Sequence, residues 1–71
     1  MNSAGNVLSH EPYQKFKGFM REKGLTYADI AALLGVTTTT VSFKVNGQSD
    51  FTLSEANLIM AKYNANHEIF L

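Results

Sequence analysis

Hydrophobic side chains recur three or four positions apart along most of this chain, which is the spacing of one face of an α-helix. Phe16, Phe19 and Met20 form the first such stripe, and Ile30 and Leu34 belong to the second. No segment alternates apolar and polar residues as a half-buried β-strand would. The pattern therefore predicts an all-α fold. The predicted elements are helices at about 12–23, 27–34, 38–46 and 53–63, followed by a short turn at 66–71.

Residues that start or stop helices lie at the predicted boundaries. Pro12 suits the first position of the first helix, where its missing N–H is not needed. Thr26 is placed to cap the second helix, and Gly24 and Gly35 are placed to end the first and the second. Gly18 lies inside the first helix, where glycine costs about 1 kcal/mol relative to alanine. We therefore expect a neighbouring helix to approach closely at Gly18.

The third predicted helix opens with four consecutive threonines, which are β-branched and poor helix formers. Thr37 is placed to cap this helix. Val41 is expected to face inward, together with Lys44 or Val45 one turn later. Because the run weakens the helix, we expect its exposed threonines to be selected for what they contact.

The last third of the chain carries a capping box and an apolar end. Thr52 and Glu55 have the spacing at which each side chain bonds the backbone N–H of the other, and Phe51 is placed for the accompanying hydrophobic staple. The fourth helix then has one apolar face, with Leu58 roughly opposite it. The apolar residues 69–71 predict a turn that docks back on the core.

Size and composition indicate one small domain. The chain has 71 residues, of which 45% are hydrophobic, so we expect a domain at 11–71 preceded by a flexible arm at 1–10. No cysteine is present, which excludes disulfides and thiolate zinc sites and is typical of a reducing, cytoplasmic location. No apolar run approaches the roughly 18 residues of a membrane span, and no signal peptide opens the chain.

The charges balance overall but are unevenly distributed. Net charge is zero, which is a mild argument against nucleic acid as the partner. Between residues 13 and 49, however, five basic side chains face two acidic ones, whereas the remainder has one basic and four acidic side chains. The basic excess in the first two thirds is compatible both with a DNA-binding face and with ordinary solvated helix surface.

The sequence offers no constellation for catalysis. His10 and His67 are isolated residues without metal-ligand spacing, and such histidines are usually at the surface. No glycine-rich phosphate loop and no strand–turn–helix serine motif is present. We therefore expect no catalytic residue, metal, cofactor or small-molecule substrate, and we expect that the protein is not an enzyme.

Four small or apolar residues have the spacing of a helix-turn-helix. Ala31 is small enough for the next helix to approach, and Gly35 allows the bend. Val36 and Val41 are placed to fill the angle between the two helices. The second helix of such a unit presents its outward side chains to the major groove of DNA.

The segment GLTYADIAALLGVTTTTVSFKVNG, residues 24–47, resembles the Cro/repressor-type helix-turn-helix family, the lambda-repressor-like DNA-binding domains. The continuation QSDFTLSEANLIM is similar to a phage and prophage repressor subgroup that often has Lys-Ile-Asn-Gly, then Asp-Phe-Thr and a glutamate. The resemblance covers about residues 16–63, and the final EIFL is also similar to the subgroup. It implies a compact four- to five-helix domain that regulates transcription by binding operator DNA through the helix at 38–46, as a homodimer and without a cofactor.

The resemblance also assigns roles to single residues. By position, Thr38, Thr39, Ser42 and Phe43 would read base edges. A threonine hydroxyl can donate or accept, its methyl can pack on the thymine methyl, and phenylalanine can make apolar contacts only. Phe43 is expected to be exposed rather than buried in the core. Thr37 and Thr40, on either side of Thr38 and Thr39, would cap the helix or contact phosphate.

Contacts to the DNA backbone are implied for residues around the end of the third helix. Lys44 would pack its stem and extend its ammonium to a phosphate. Asn46, Gln48 and Ser49 follow where the family contacts the backbone through amides and side chains. Tyr27 stands where the wider family commonly has a phosphate-binding glutamine, so its hydroxyl would replace that contact or its ring would cover the core.

Two departures from the family affect the expected affinity. The leading face of the third helix has no Arg, Gln or Asn, so bidentate base contacts are missing, and the zero net charge leaves few phosphates neutralised. One monomer should bind weakly, and dimerisation on a two-fold-related operator would compensate. The candidate dimer contacts are Leu58, Ile69, Phe70 and Leu71, although a single exposed leucine such as Leu58 is also ordinary surface. The alternative function is a protein-interaction module, antirepressor or antitoxin-like, using the same helical face.

Overall fold

The computed structural model describes residues 8–71 of the chain, and within this range all regular structure is helical. The all-α prediction is thus confirmed for these residues. The elements are α1 (Gln14–Lys23), α2 (Tyr27–Leu34), α3 (Thr38–Asn46), α4 (Leu53–Tyr63) and a C-terminal 3₁₀ helix (His67–Phe70). None of these helices has the length and apolar character needed to cross a membrane.

Side-chain caps fix the beginnings of three of the four α-helices. Thr26 caps α2, where its hydroxyl accepts from the N–H of Asp29 at 3.2 Å and the Asp29 carboxylate accepts from the N–H of Thr26 at 2.8 Å. The same reciprocal box forms between Thr52 and Glu55 at the start of α4, as predicted. Thr37 caps α3 through a 3.1 Å hydrogen bond from the N–H of Thr40. These bonds satisfy N–H groups that the first turn of a helix leaves unpaired.

The beginning of α1 differs from the prediction. Pro12 does not open the helix; Tyr13 is the residue before it, and Gln14 is the first helical residue. Tyr13 has no side-chain cap, and its N–H donates instead to the carbonyl of Val45 in α3 at 2.9 Å. This long-range bond holds Tyr13 in a non-helical conformation, so α1 is two residues shorter at its start than the sequence pattern indicates.

All four helices and the 3₁₀ helix contribute to one core. Its buried members are Phe16, Met20, Ile30, Ala31, Val41, Val45, Ile59 and Ile69. The expectation of a close helix approach at Gly18 is wrong, because a Cβ added there would meet nothing within 4 Å.

An aromatic cluster extends this core towards both ends of the chain. Phe16 packs against Phe51 and Phe70, with ring centroids 5.5 Å apart in each pair. Tyr13 contacts Phe70 edge-on at 5.6 Å. Ile69 is 8% exposed and belongs to the core, so it is not free for a dimer interface. Phe70 is half-buried against the core, and its contact in a dimer stays a prediction. The predicted docking of the chain end is confirmed, and of residues 69–71 only Leu71 is exposed.

The predicted flexible arm lies mostly outside the described residues, which begin at Leu8. The described part of it is bound to the end of α3. The N–H of Ser9 donates to the carbonyl of Gly47 at 2.7 Å, and the His10 side chain lies between backbone carbonyls. Residues 8–10 therefore depart from the expectation of a free arm, because carbonyls of residues 47–49, directly after α3, accept their hydrogen bonds.

Candidate nucleic-acid interface

Helices α2 and α3 are joined by only three residues, 35–37, and pack against each other. Gly35 ends α2 in the left-handed conformation, with φ 71°. Its N–H and that of Val36 both donate to the carbonyl of Ala31, at 2.8 and 3.1 Å. Ala31 is 5% exposed, Val36 is half-buried against the core, and Val41 is fully buried. These four residues thus occupy the positions that the sequence spacing indicated.

The buried side of α3 leaves its opposite side free. Val41 and Val45 have no exposed surface and anchor the helix. Thr38 and Thr39 are exposed at its first turn, and Phe43 is 49% exposed one turn after Thr39. The exposure expected for Phe43 is therefore observed, and it lies on the same face as Thr39 because residues four apart are neighbours on a helix.

The four threonines divide into two pairs by their hydrogen bonds. The hydroxyls of Thr37 and Thr40 are 2.9 Å apart and bonded to each other. Within the described part of the chain, Thr38 and Thr39 have no side-chain hydrogen bond to protein, so their hydroxyls and methyls are free for a partner. Capping is thus observed for Thr37, and phosphate contact remains a prediction for Thr37 and Thr40.

The side chains of Ser42 and Asn46 are partly occupied by each other. The Asn46 amide donates to the carbonyl of Ser42 at 2.9 Å and lies 3.3 Å from its hydroxyl. Both residues are half-buried. Asn46 is therefore not poised to donate outward, since its amide nitrogen closes the last turn of its own helix.

Lys44 is placed differently from the expectation. Its ammonium lies 2.7 Å from the carboxylate of Glu55 in α4 and 5.9 Å from the centre of the Phe51 ring. The two ion-paired side chains are only 13% and 17% exposed. Reaching a phosphate would require this partly buried pair to break, so the structure does not support Lys44 as a free phosphate contact.

Glu55 performs two tasks in this arrangement. One carboxylate oxygen accepts both the N–H of Thr52 and the ammonium of Lys44. Burial alone would raise the pKa of Glu55, but the bond from Lys44 and the backbone bond from Thr52 outweigh it and hold the pKa below its ordinary value. The carboxylate therefore stays ionised at neutral pH and ties α3 to the start of α4.

The loop after α3 uses its backbone donors internally. The N–H groups of Gly47, Gln48 and Ser49 all point to the carbonyl of Phe43, at 3.0, 3.0 and 3.3 Å. In this conformation these N–H groups are thus not free to make the phosphate contacts that the resemblance implied. Gln48 keeps an exposed side chain, whereas Ser49 is half-buried.

Tyr27, at the start of α2, is half-buried and packs against the core. This observation supports the alternative in which its ring covers the core. It does not test whether the hydroxyl also contacts a phosphate.

A side-chain network that the sequence did not reveal holds the N-terminal segment to the same loop. His10 places Nδ1 2.6 Å from the carbonyl of Glu11 and Nε2 2.8 Å from that of Ser49. Nε2 also lies 3.5 Å from the carboxylate of Asp50, and the His10 and Tyr13 rings stack at 4.1 Å. His10 is therefore not the isolated surface histidine that its position in the sequence suggested.

Both ring nitrogens of His10 face acceptors, so only the doubly protonated ring satisfies both. Burial lowers the pKa of His10, but the carbonyls of Glu11 and Ser49 and the carboxylate of Asp50 together raise it above its ordinary value. Asp50 also accepts the hydroxyl of Tyr13 at 2.6 Å, and burial together with this bond raises the pKa of Tyr13 to about 12.

Small-molecule and metal sites are poorly developed among residues 8–71. One cavity, of about 230 Å³, lies between α1 and the C-terminal segment and is lined by residues that include Lys15, Phe19, Glu22 and Glu68. It is open to solvent and has no lining residue from α3. No group of three His, Asp or Glu side chains in this range could hold a metal ion.

Comparison of the chain with protein-family models, with curated proteins and with solved structures gave no match. The resemblance noted over about residues 16–63 and at the final EIFL thus rests on the sequence alone. The function must be argued from the geometry of α2, α3 and the loop that follows them.

Proposed function

We propose that this protein is a sequence-specific DNA-binding transcriptional regulator with a lambda-repressor-like fold, acting as a phage or prophage repressor does. The observation that carries the proposal is the division of α3 into two sides. Val41 and Val45 are fully buried, while Thr38, Thr39 and Phe43 remain exposed on a helix joined to its predecessor by three residues. This is the arrangement in which the second helix of a helix-turn-helix enters the major groove.

The mechanism is occupancy of an operator by a rigidly held helix. The cap at Thr37, the buried valines and the Lys44–Glu55 pair each restrain α3, so its outer side chains meet DNA with little ordering left to occur. No catalytic step or cofactor enters this mechanism. Two copies on a two-fold-related operator would double the contacts, and Leu58 and Leu71, 49% and 69% exposed, are the most exposed candidate dimer contacts.

Selection from a random duplex library, followed by gel shifts with the selected sequence, tests the proposal. We expect saturable, sequence-dependent binding at low salt. Thr39→Ala should weaken this binding, because Thr39 is exposed on the outer face of α3. Asn57→Ala is the matched control, since Asn57 is also exposed but lies on α4. Absence of any sequence preference, in protein shown to be folded by circular dichroism, would contradict the proposal.

A second candidate function is supported by one observation, the uncharged and partly apolar character of the α3 face. Phe43 is 49% exposed and Lys44 is neutralised by Glu55, so this face would suit a protein partner of the antirepressor or antitoxin class. Replacing Thr39 and Ser42 with alanine discriminates. If the variant folds normally but no longer binds the operator, the regulator is supported. If the unsubstituted chain binds no DNA at all, the protein-interaction module becomes the better explanation.

A further inference from the structure

The outer face of α3 lacks every side chain that reads a base by two hydrogen bonds. Guanine is read in this way by Arg or Lys, adenine by Asn or Gln, and cytosine is read by a carboxylate. On this helix the Asn46 amide donates to Ser42 and the Lys44 ammonium is paired with Glu55. The exposed groups are the hydroxyls and methyls of Thr38 and Thr39 and the ring of Phe43, while the hydroxyl of Ser42 is half-buried and accepts from the Asn46 amide.

These remaining groups fit one feature of the major groove better than any other. A threonine hydroxyl can donate or accept and so discriminates weakly among bases. The thymine 5-methyl is the apolar feature that distinguishes A·T pairs in the major groove, and threonine methyls and phenylalanine rings pack on it. We infer that α3 recognises its operator mainly through thymine methyl groups, contacted by Thr39 and Phe43 with Thr38 beside them.

The spacing of the helix also limits where those thymines lie. Thr39 and Phe43 are four residues apart on one face, so their Cβ atoms are roughly 5–6 Å apart. Successive bases on one strand are about 3.4 Å apart. The two side chains therefore reach methyl groups one or two base steps apart, and each half-site should contain two such thymines.

This inference rests on the proposed function, and the experiment separates the two. An operator is selected first, and each thymine in it is then replaced singly by deoxyuridine, which removes the 5-methyl and leaves every hydrogen-bonding group and charge in place. We expect roughly 3- to 10-fold weaker binding at two positions in each half-site, as for the loss of one buried methyl group at each. In Thr39→Ser, which loses only its methyl, and in Phe43→Ala, deoxyuridine at the matching position should cause no further loss.

Three results decide the matter. Failure to select any operator removes the proposed function itself. Sequence-specific binding that deoxyuridine leaves unchanged at every position keeps the function and overturns the methyl readout. The methyl readout is also overturned if deoxyuridine weakens binding just as much in Thr38→Ser, Thr39→Ser and Phe43→Ala. The thymine methyls would then contact other residues. Circular dichroism and thermal unfolding of each variant establish that the fold is intact.

Discussion

The hydroxyl of Thr37 accepts from the N–H of Thr40 and is also bonded to the Thr40 hydroxyl, while the hydroxyls of Thr38 and Thr39 have no such bond among the described residues. Neighbouring residues of the same type thus contribute to different properties. The first and last members of the run stabilise the start of α3, and the middle two face outward.

Thr37→Ala should lower the free energy of unfolding by about 1 kcal/mol, because it removes the cap of α3. Thr39→Ala should change it by less than about 0.5 kcal/mol, as for other exposed positions. Urea unfolding followed by circular dichroism measures both. Equal effects of the two substitutions would contradict the division of roles within the run.

Gly18→Ala should raise the free energy of unfolding by about 1 kcal/mol, since Gly18 is inside α1 and nothing lies within 4 Å of an added Cβ. Gly47→Ala is the contrasting variant. Gly47 has a φ of 101°, and an added Cβ would collide with the carbonyl of His10. It should therefore destabilise the protein, and the two changes should shift the urea midpoint in opposite directions.

At the scale of elements, α3 is held at its C-terminal end by the N-terminal segment and by α4. The carbonyls of Val45 and Gly47 accept from Tyr13 and Ser9, and Lys44 is paired with Glu55. A helix whose last carbonyls are bonded in this way is less prone to fray. The position of the outer face of α3 thus depends on residues far from it in sequence.

Local signals were enough to predict most helices, but not these connections. The helical bounds of α2, α3 and α4 follow from caps, glycines and apolar spacing, which act within a few residues. His10 and Ser49 are 39 positions apart, and Tyr13 and Asp50 are 37 apart. No pattern in the neighbourhood of either partner indicates such a contact, and the delayed start of α1 has the same long-range cause.

Stability should depend on pH through two of these connections. The pKa of His10 is raised in the folded protein. The protonated ring therefore adds to the free energy of unfolding fully below about pH 6.5, and this stabilisation is lost as the pH rises through the folded pKa. The pKa of Glu55 is lowered in the folded protein. The ionised carboxylate therefore adds to the free energy of unfolding fully above about pH 4.5, and this stabilisation is lost as the pH falls through the folded pKa. Thermal unfolding across pH 3–9 should show maximal stability at about pH 5–6.

Two substitutions separate the limbs of this profile. His10→Gln should reduce the loss of stability above pH 6. Glu55→Gln should reduce the loss of stability below pH 5, because glutamine keeps the capping geometry without the charge. A direct NMR titration of the His10 ring provides a further check. If His10→Gln lost stability above pH 6 as the original chain does, another titrating group would be responsible for that loss.

For the whole molecule, the electrostatic balance governs how DNA would be bound. The chain has six basic and six acidic side chains, and one of the basic ones, Lys44, is neutralised by Glu55. Nonspecific attraction to phosphates should therefore be small, and base contacts should account for a large share of the affinity.

Operator binding should consequently show a shallow salt dependence. We expect affinity to fall about 40-fold between 50 and 200 mM salt, as for roughly three neutralised phosphates, in a gel-shift titration. A loss of about 1,000-fold would mean that many more phosphates are neutralised than the paired charges allow. Lys17→Gln provides a control for the basic excess on α1, and a reduced slope in it would place that helix beside the DNA backbone.

The attachment of the N-terminal segment to the end of α3 has a practical consequence for labelling. Leu8 lies beside Gly47, and a chain of seven residues spans at most about 25 Å. A fluorescent protein or affinity tag fused ahead of Met1 is thus tethered close to the loop that follows α3. A tag joined after Leu71 would also lie near this loop, because Phe70 packs against Phe51, with ring centroids 5.6 Å apart. Binding to DNA is therefore best measured after a tag at either position has been removed.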